Sequence, residues 1–222
     1  MNDVRILKIK KSVYENNDLE AEKLRGELRA EGTFLINLMS SPGSGKTSSV
    51  LRIIEQLRGE MAIGVMEADI DSAVDAKTVA AAGIPVVQIH TGGMCHLDAG
   101  MTRQGLETPE MQGLDLVILE NVGNLVCPAE FDTGACKNVM ILSVPEGDDK
   151  PLKYPLMFSV ADLLLINKID TLGLGIFDFD IAAVRERAAA INPSICVIEV
   201  SAKTGEGFDL VSDWIRKAIS RF

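Results

Sequence analysis

Phe34-Leu35-Ile36-Asn37-Leu38-Met39-Ser40-Ser41-Pro42-Gly43-Ser44-Gly45-Lys46-Thr47-Ser48 decides how the rest of the chain is read. The mainly apolar run from Phe34 to Met39 suits a buried strand, and the Ser, Pro and Gly that follow end it in a turn. Beyond the turn, Val50, Ile53, Ile54 and Leu57 stand at the i, i+3, i+4, i+7 spacing of one helical face, which stops at Gly59. Residues 40–47 between them match the phosphate-binding pattern G-x-x-x-x-G-K-[ST] except at the first position, where Ser40 replaces glycine. With strand and helix in this order, backbone N–H groups from Gly43 to Lys46 can wrap a β-phosphate, and the helix N-terminus adds its dipole. Lys46 would reach the β and γ phosphates and the Thr47 hydroxyl would ligate magnesium. Gly43, Ser44, Gly45, Lys46, Thr47 and Ser48 are therefore the expected phosphate contacts. The competing reading, a glycine-rich loop that caps a helix and binds nothing, does not call for this flanking order.

Outward from this unit the strand-loop-helix pattern repeats. Met61–Met66, Pro85–Ile89, Leu114–Leu119, Val139–Val144, Asp162–Ile166 and Ile195–Val200 are further strand candidates. Their apolar runs are continuous rather than alternating, as in parallel strands covered on both faces. Phe208–Ile219 closes the chain as a helix with Val211, Trp214, Ile215 and Ala218 on one side. The expected fold is α/β, a mostly parallel doubly wound sheet with helices on both faces. Residues 1–31 are more polar, and Leu24 and Leu28 share a helical face, so they are expected to form a peripheral helical segment before one domain spanning 32–222. No Pro- or Gly/Ser-rich linker separates the two.

The 222 residues suit one such domain. Lys and Arg number 22 against 32 Asp and Glu, a formal charge of −10. That balance argues against a sequence-independent nucleic-acid binder, which needs a basic face, but leaves room for one local phosphate pocket. No apolar run approaches the roughly 18 residues of a membrane span, and Met1–Lys11 lacks a signal-peptide core. A cytoplasmic protein, off the membrane, is expected. Cys95, Cys127, Cys136 and Cys196 are too few and scattered for a disulfide framework and read as reduced thiols.

Asn167-Lys168-Ile169-Asp170 follows directly on a strand candidate. A carboxylate there can accept from both guanine N1–H and the N2 amine, a donor pair that adenine lacks. The tetrapeptide resembles the guanine-recognition Asn-Lys-x-Asp of GTPases, with Lys168 along the base plane. Ser201-Ala202-Lys203 resembles their Ser-Ala-Lys loop, whose backbone contacts guanine O6. Glu120-Asn121-Val122-Gly123 resembles the GTPase switch whose glycine N–H meets the γ-phosphate, with Glu in place of the commoner Asp. Each follows a strand, at the edge where such sheets bind ligands. Lys46, Asp75, Glu120 and Gly123 are the expected catalytic set, and Thr47, Asp69 and Glu120 the expected magnesium set. Asp69, Asp71 and Asp75 all compete to hold magnesium waters or the attacking water; Asp71 is the one read as a solvated loop carboxylate.

Gly92-Gly93-Met94-Cys95-His96-Leu97-Asp98 sets a thiol beside an imidazole, and Cys127 lies four residues after Gly123. Thiolate and imidazole suit a borderline-soft ion, nickel or zinc. These segments, with the phosphate loop and Pro145-Glu146-Gly147-Asp148-Asp149-Lys150-Pro151-Leu152-Lys153-Tyr154-Pro155, resemble the HypB family of nickel-inserting GTPases in [NiFe]-hydrogenase maturation. The resemblance runs from about Thr33 to the C-terminus and implies a SIMIBI-type P-loop GTPase using GTP/GDP, Mg2+ and Ni2+ or Zn2+. It further implies a metal site of Cys95, His96 and Cys127 at a GTP-dependent homodimer interface. The implied partners are a hydrogenase maturation protein and the hydrogenase large subunit. Family members tolerate Ser at the first loop position. Residues 1–31 carry neither the Cys-x-x-Cys-Gly-Cys nor the His-rich tract of many bacterial relatives, which excludes nickel storage by a His tract in this segment. The Cys-Pro-His motif of the related urease accessory GTPases is also absent. A regulatory GTPase with packing cysteines and a non-enzymatic metal-binding scaffold are the other readings. Asp148, Asp149 and Lys150 could pair across a dimer or be solvated, and Cys196 reads as core.

Overall fold

The computed structural model describes residues 9–69 and 74–222, with the side chains of 14–68 and 75–222. In chain order the strands are β1 (Phe34–Ser40), β2 (Ile63–Asp69), β3 (Val86–His90), β4 (Leu116–Glu120), β5 (Lys137–Ser143), β6 (Leu163–Asn167) and β7 (Cys196–Glu199). All pair in parallel, in the order β3-β2-β4-β1-β5-β6-β7. Each expected strand is present, shifted by one to three residues.

The principal helices are α1 (Ile9–Glu31), α2 (Lys46–Leu57), α3 (Val74–Ala80), α4 (Ala99–Leu106), α5 (Cys127–Glu130), α6 (Lys150–Lys153), α7 (Pro155–Val160), α8 (Ile181–Ile191) and α9 (Phe208–Ile219). Strand alternation splits the core in two layers. Phe34, Ile36 and Leu38 of β1 pack with Val50, Ile53, Ile54 and Leu57 of α2 and Phe208, Val211 and Ile215 of α9. On the other face Leu35 meets Leu24 and Leu28 of α1 beside Met66, Val117 and Leu119. Met39, Met140, Leu142, Leu164 and Ile166 there meet Met157 and Phe158 of α7 and Val184 and Ala188 of α8. The sheet is thus covered on both sides.

The helix read from Leu24 and Leu28 closes this second layer, with Ala21 fully buried beside them, whereas Leu19 is 72% exposed. It lies along α4, where Arg103 pairs with Glu20 and Glu27. Among the described residues no helix is long and apolar enough to cross a membrane.

Because α1 contributes to the same core as β1 and β4, Leu28→Ala should destabilise the whole domain by about 2–5 kcal/mol through the cavity left behind. Urea unfolding followed by Trp214 fluorescence and by far-ultraviolet circular dichroism should give one shared, lowered midpoint. Separate transitions would show that α1 is not part of the cooperative unit.

Candidate functional site

Every strand of a parallel sheet delivers its C-terminal end to the same rim, and the predicted segments collect there. The phosphate loop leaves β1 at Ser40 and enters α2 at Lys46. Gly43 and Gly45 sit at φ 73° and 99°, left-handed angles that favour glycine. A Cβ on Gly45 would meet Asn167 Nδ2 at 2.5 Å. Ser40, the departure from the pattern, is fully buried. Its hydroxyl donates to Ser41 O at 2.8 Å and accepts from the Ser44 hydroxyl at 2.6 Å, so it braces the turn from beneath.

One carboxamide joins this loop to the 167–170 and 201–203 segments. Asn167 Nδ2 donates to Ser44 O at 2.9 Å, while Asn167 Oδ1 accepts from Lys168 N at 2.8 Å and Ala202 N at 3.0 Å. Lys168 is the one non-glycine residue at positive φ (66°) among the described residues. Its ammonium donates to Gly43 O at 2.6 Å, across the phosphate loop. Asp170 accepts from the buried Ser201 hydroxyl at 2.7 Å, and Lys203 Nζ stands 3.9 Å from its other oxygen. Arg52 of α2 supports the 201–204 loop by donating to Ala202 O and Lys203 O, both at 2.9 Å. No local motif marks Arg52 for that support, because its partners lie 150 and 151 residues away.

On the other flank, the Thr47 hydroxyl donates to Glu120 Oε1 at 2.9 Å. Glu67 lies in register with Glu120 on the neighbouring strand, and both carboxylates are buried. A Cβ on Gly123 would come within 3.3 Å of Lys46 Nζ and 3.2 Å of Pro42. Lys46, Thr47, Glu120 and Gly123 therefore meet at one point. Asp75 stands in the first turn of α3. Asp69 ends β2 opposite His90, with only its backbone placed, and Asp71 lies outside the described residues. Behind Glu120, the buried Asn121 donates to the buried Asn37 at 3.0 Å and Asn37 to Asn138 at 2.9 Å, a chain of amides across β1 and β5.

The segment continues to Cys127, whose thiol faces that of Cys95; this neighbour, more than burial, pushes the Cys127 pKa up. His96 does not join the pair. Its ring stacks on Phe131, with centroids 3.8 Å apart at 7°, and its buried Nδ1 has no hydrogen-bond partner. Burial holds its pKa below the usual imidazole value, against the pull of Asp98 and Glu130. Among the described residues no group of three His, Cys, Asp or Glu converges on one point. One chain thus assembles the two thiols, with the imidazole turned aside.

The charged residues of the 145–155 segment find partners within their own chain. Asp148 binds Arg187 at 2.8 Å, and Asp149 binds Lys153 at 2.5 Å. Glu146 accepts from Ser143 N and Oγ, both at 2.7 Å, and from the Ser41 hydroxyl, which ties it to the phosphate loop. Cys136 is half-buried, and its sulfur accepts from Leu35 N–H at 3.4 Å. Cys196 is only half-buried at the sheet edge, rather than in the core.

The family model described as CobW/HypB/UreG, nucleotide-binding domain, matches residues 34–199. Hydrogenase maturation factor HypB of Azotobacter vinelandii is 46% identical over 218 residues, which span 98% of this chain and 71% of that protein. The crystal structure of HypB from Helicobacter pylori in complex with nickel superposes with a TM-score of 0.86 at 34% identity, covering 93% of this chain and 96% of that one. The signal recognition particle 54 kDa protein of Aeropyrum pernix, in complex with GDP, shares the fold alone. Its TM-score is 0.56 at 15% identity, over 84% of this chain and 48% of that one.

Asn167→Asp replaces the donor facing Ser44 O with a second acceptor. It should cost about 1–3 kcal/mol, the penalty for a buried unmade hydrogen bond, measured as a lowered urea midpoint. An unchanged midpoint would show that the carboxamide does not join the two loops.

Proposed function

The chain belongs to the CobW/HypB/UreG nucleotide-binding family, among the HypB hydrogenase maturation factors, and from that premise we propose that it is a GTP-hydrolysing nickel carrier acting as a homodimer. In this reading residues 32–222 are the GTPase domain and 1–31 a helical segment that serves it. The observation that carries the proposal is the continuity of residues 120–127. The stretch that begins with Glu120 on the Thr47 hydroxyl ends with Cys127 on the Cys95 thiol.

Asp170, held by Ser201, accepts the two guanine donors, and the Ala202 and Lys203 backbone lines the O6 side. Gly43–Ser48 cradle the phosphates, and Lys46 and the Gly123 N–H meet the γ-phosphate. Thr47 and Glu120, with Asp69 at the same rim, form an all-oxygen set of the kind that suits Mg2+. That ion, when bound, neutralises charge on the β and γ phosphates. Asp75 is the side chain we assign to the attacking water. Turnover should be slow. An arginine finger is worth about 10³–10⁵-fold, whereas the cations seen at this loop are the lysines Lys46 and Lys168.

Nickel is the cargo, taken by the thiolates of Cys95 and Cys127 with His96 as third donor. Zn2+ competes for the same donors. An incomplete set per chain leaves positions for a second subunit, so GTP-dependent pairing would complete the shell. Hydrolysis then shifts residues 120–127 and loosens it, and the ion passes to a hydrogenase maturation partner and on to the large subunit. The reduced thiols suit a cytoplasmic setting.

The decisive experiment is a competitive nickel titration of the GTP-analogue and GDP forms, beside Cys127→Ala. The two nucleotide states should differ in affinity, and the substitution should weaken both. Equal affinities, or no binding, would overturn the carrier role. Asp170→Asn should reduce GTP affinity by about 10–100-fold, the worth of hydrogen bonds to a charged acceptor, and unchanged affinity in an equilibrium binding assay would overturn the base assignment.

A further inference from the structure

The two loops that carry the metal donors leave different strands, Cys95 after β3 and Cys127 after β4. β2 lies between those strands, so the sheet pairing does not hold the loops together. One side chain outside the sheet bonds to both. Asn17 of α1 is buried (9% exposed). Its Nδ2 donates to Asp132 O at 2.9 Å, beyond Cys127, and its Oδ1 accepts from Ala99 N at 2.9 Å, beyond Cys95 and His96.

The neighbours of Asn17 on the same helix reinforce both grips. Arg25 holds the Asp132 carboxylate with two bonds of 2.8 Å, and Asp132 also accepts from Gly134 N at 2.9 Å. The Tyr14 hydroxyl donates to Glu130 at 3.0 Å, and the Tyr14 ring lies 4.9 Å from that of Phe131. Phe131 in turn stacks on His96. Arg103 of α4, close after the Cys95 loop, pairs with Glu20 and Glu27. The helix itself is fixed by Ala21, Leu24 and Leu28 in the core. It is a rod seated in the domain, with polar side chains spanning the gap between the two loops.

We propose that Asn17 is a positioning residue for the metal donors: its carboxamide latches the Cys95 loop to the Cys127 loop, so the two thiols keep their contact only while α1 is seated. The side chains that brace the proposed nucleotide site, Asn167, Arg52 and Thr47, sit on other elements, so the latch touches the metal side directly and the nucleotide side only through residues 120–127. A partner that engages α1 would thereby change the spacing of the donors without touching them. The proposal rests on the metal-carrier reading for its biological meaning, but its geometry is testable without metal.

The test is the equilibrium of the Cys95–Cys127 pair with glutathione in the full-length protein. Closing the disulfide oxidises both thiols and reduces one oxidised glutathione to two reduced molecules, and peptide mass spectrometry reads the fraction closed. Asn17→Ala should lower the effective concentration of the pair at least tenfold while GTP-analogue affinity stays within twofold. Arg25→Lys, which keeps the cation but loses the two-pronged hold, should lower it to a lesser degree, and Leu19→Ala on the exposed side of α1 should leave it unchanged. Nickel affinity measured on the same proteins should fall about 10–100-fold in Asn17→Ala, as for residues that orient metal ligands. A wild-type thiol equilibrium in Asn17→Ala would overturn the latch, and so would a matching loss of nucleotide affinity, which would mark a general loss of structure. A lowered thiol equilibrium in a protein whose wild type binds no nickel would uphold the latch and overturn the carrier reading instead.

Discussion

A sheet whose strands all run one way has its chemistry at one rim, because each loop after a strand opens on the same side. Here the constraint is tightened by strand order. β4 and β5 flank β1, so the ends of three adjacent strands present Glu120, Ser40 and Ser143 side by side. The phosphate loop rises from the middle of the three. Thr47 can then reach Glu120 on one side, and Ser41 can reach Glu146, just past β5, on the other. Asn167, one strand further out, has the length to bond back to Ser44.

Where polar links within this rim are buried, as from Asn167 to Ser44 and from Asn121 to Asn37, burial raises both their value and the cost of breaking them. The Asn121–Asn37–Asn138 chain threads a sheet interior that is otherwise apolar. Each amide side chain found a partner there, as a buried polar group must. Through it, the start of the Glu120–Cys127 segment is tied to the strand that carries the phosphate loop. Asn121 N also donates to Leu38 O at 3.0 Å. A segment anchored so firmly at one end, and resting on a thiol contact at the other, is suited to pivot about its anchored end.

Strands, the phosphate loop and the Asn167–Asp170 and Ser201–Lys203 segments were legible because each is a local signal: a continuous apolar run or a fixed spacing. The linking residues were not. Asn17 and Asp132 are 115 residues apart, and Asn17 lies on a helical face whose polar residues are indistinguishable from a solvated surface. Arg52 and Ala202 are 150 apart. His96 is a different case, because adjacency in sequence does not by itself bring an imidazole to its neighbour's thiol. Its imidazole stacks on Phe131, 35 residues further along the chain. Asp148 and Arg187 likewise met within one chain, where local charge reading left open a pairing between two.

The insertion of β4 between β2 and β1 also sets an order of assembly. As the chain leaves the ribosome, β1, α2, β2 and β3 emerge before the strand that must separate β2 from β1, so this half cannot adopt its final pairing until residue 120 is available. Non-local closures of this kind slow folding and leave apolar edges open meanwhile. The Asn167 bond to Ser44 closes over 123 residues, and Ala202 joins later still. A nascent chain therefore gains its nucleotide pocket only once residue 202 has emerged, after both cysteine loops are already made, and nucleotide in the cell then favours the completed fold by mass action.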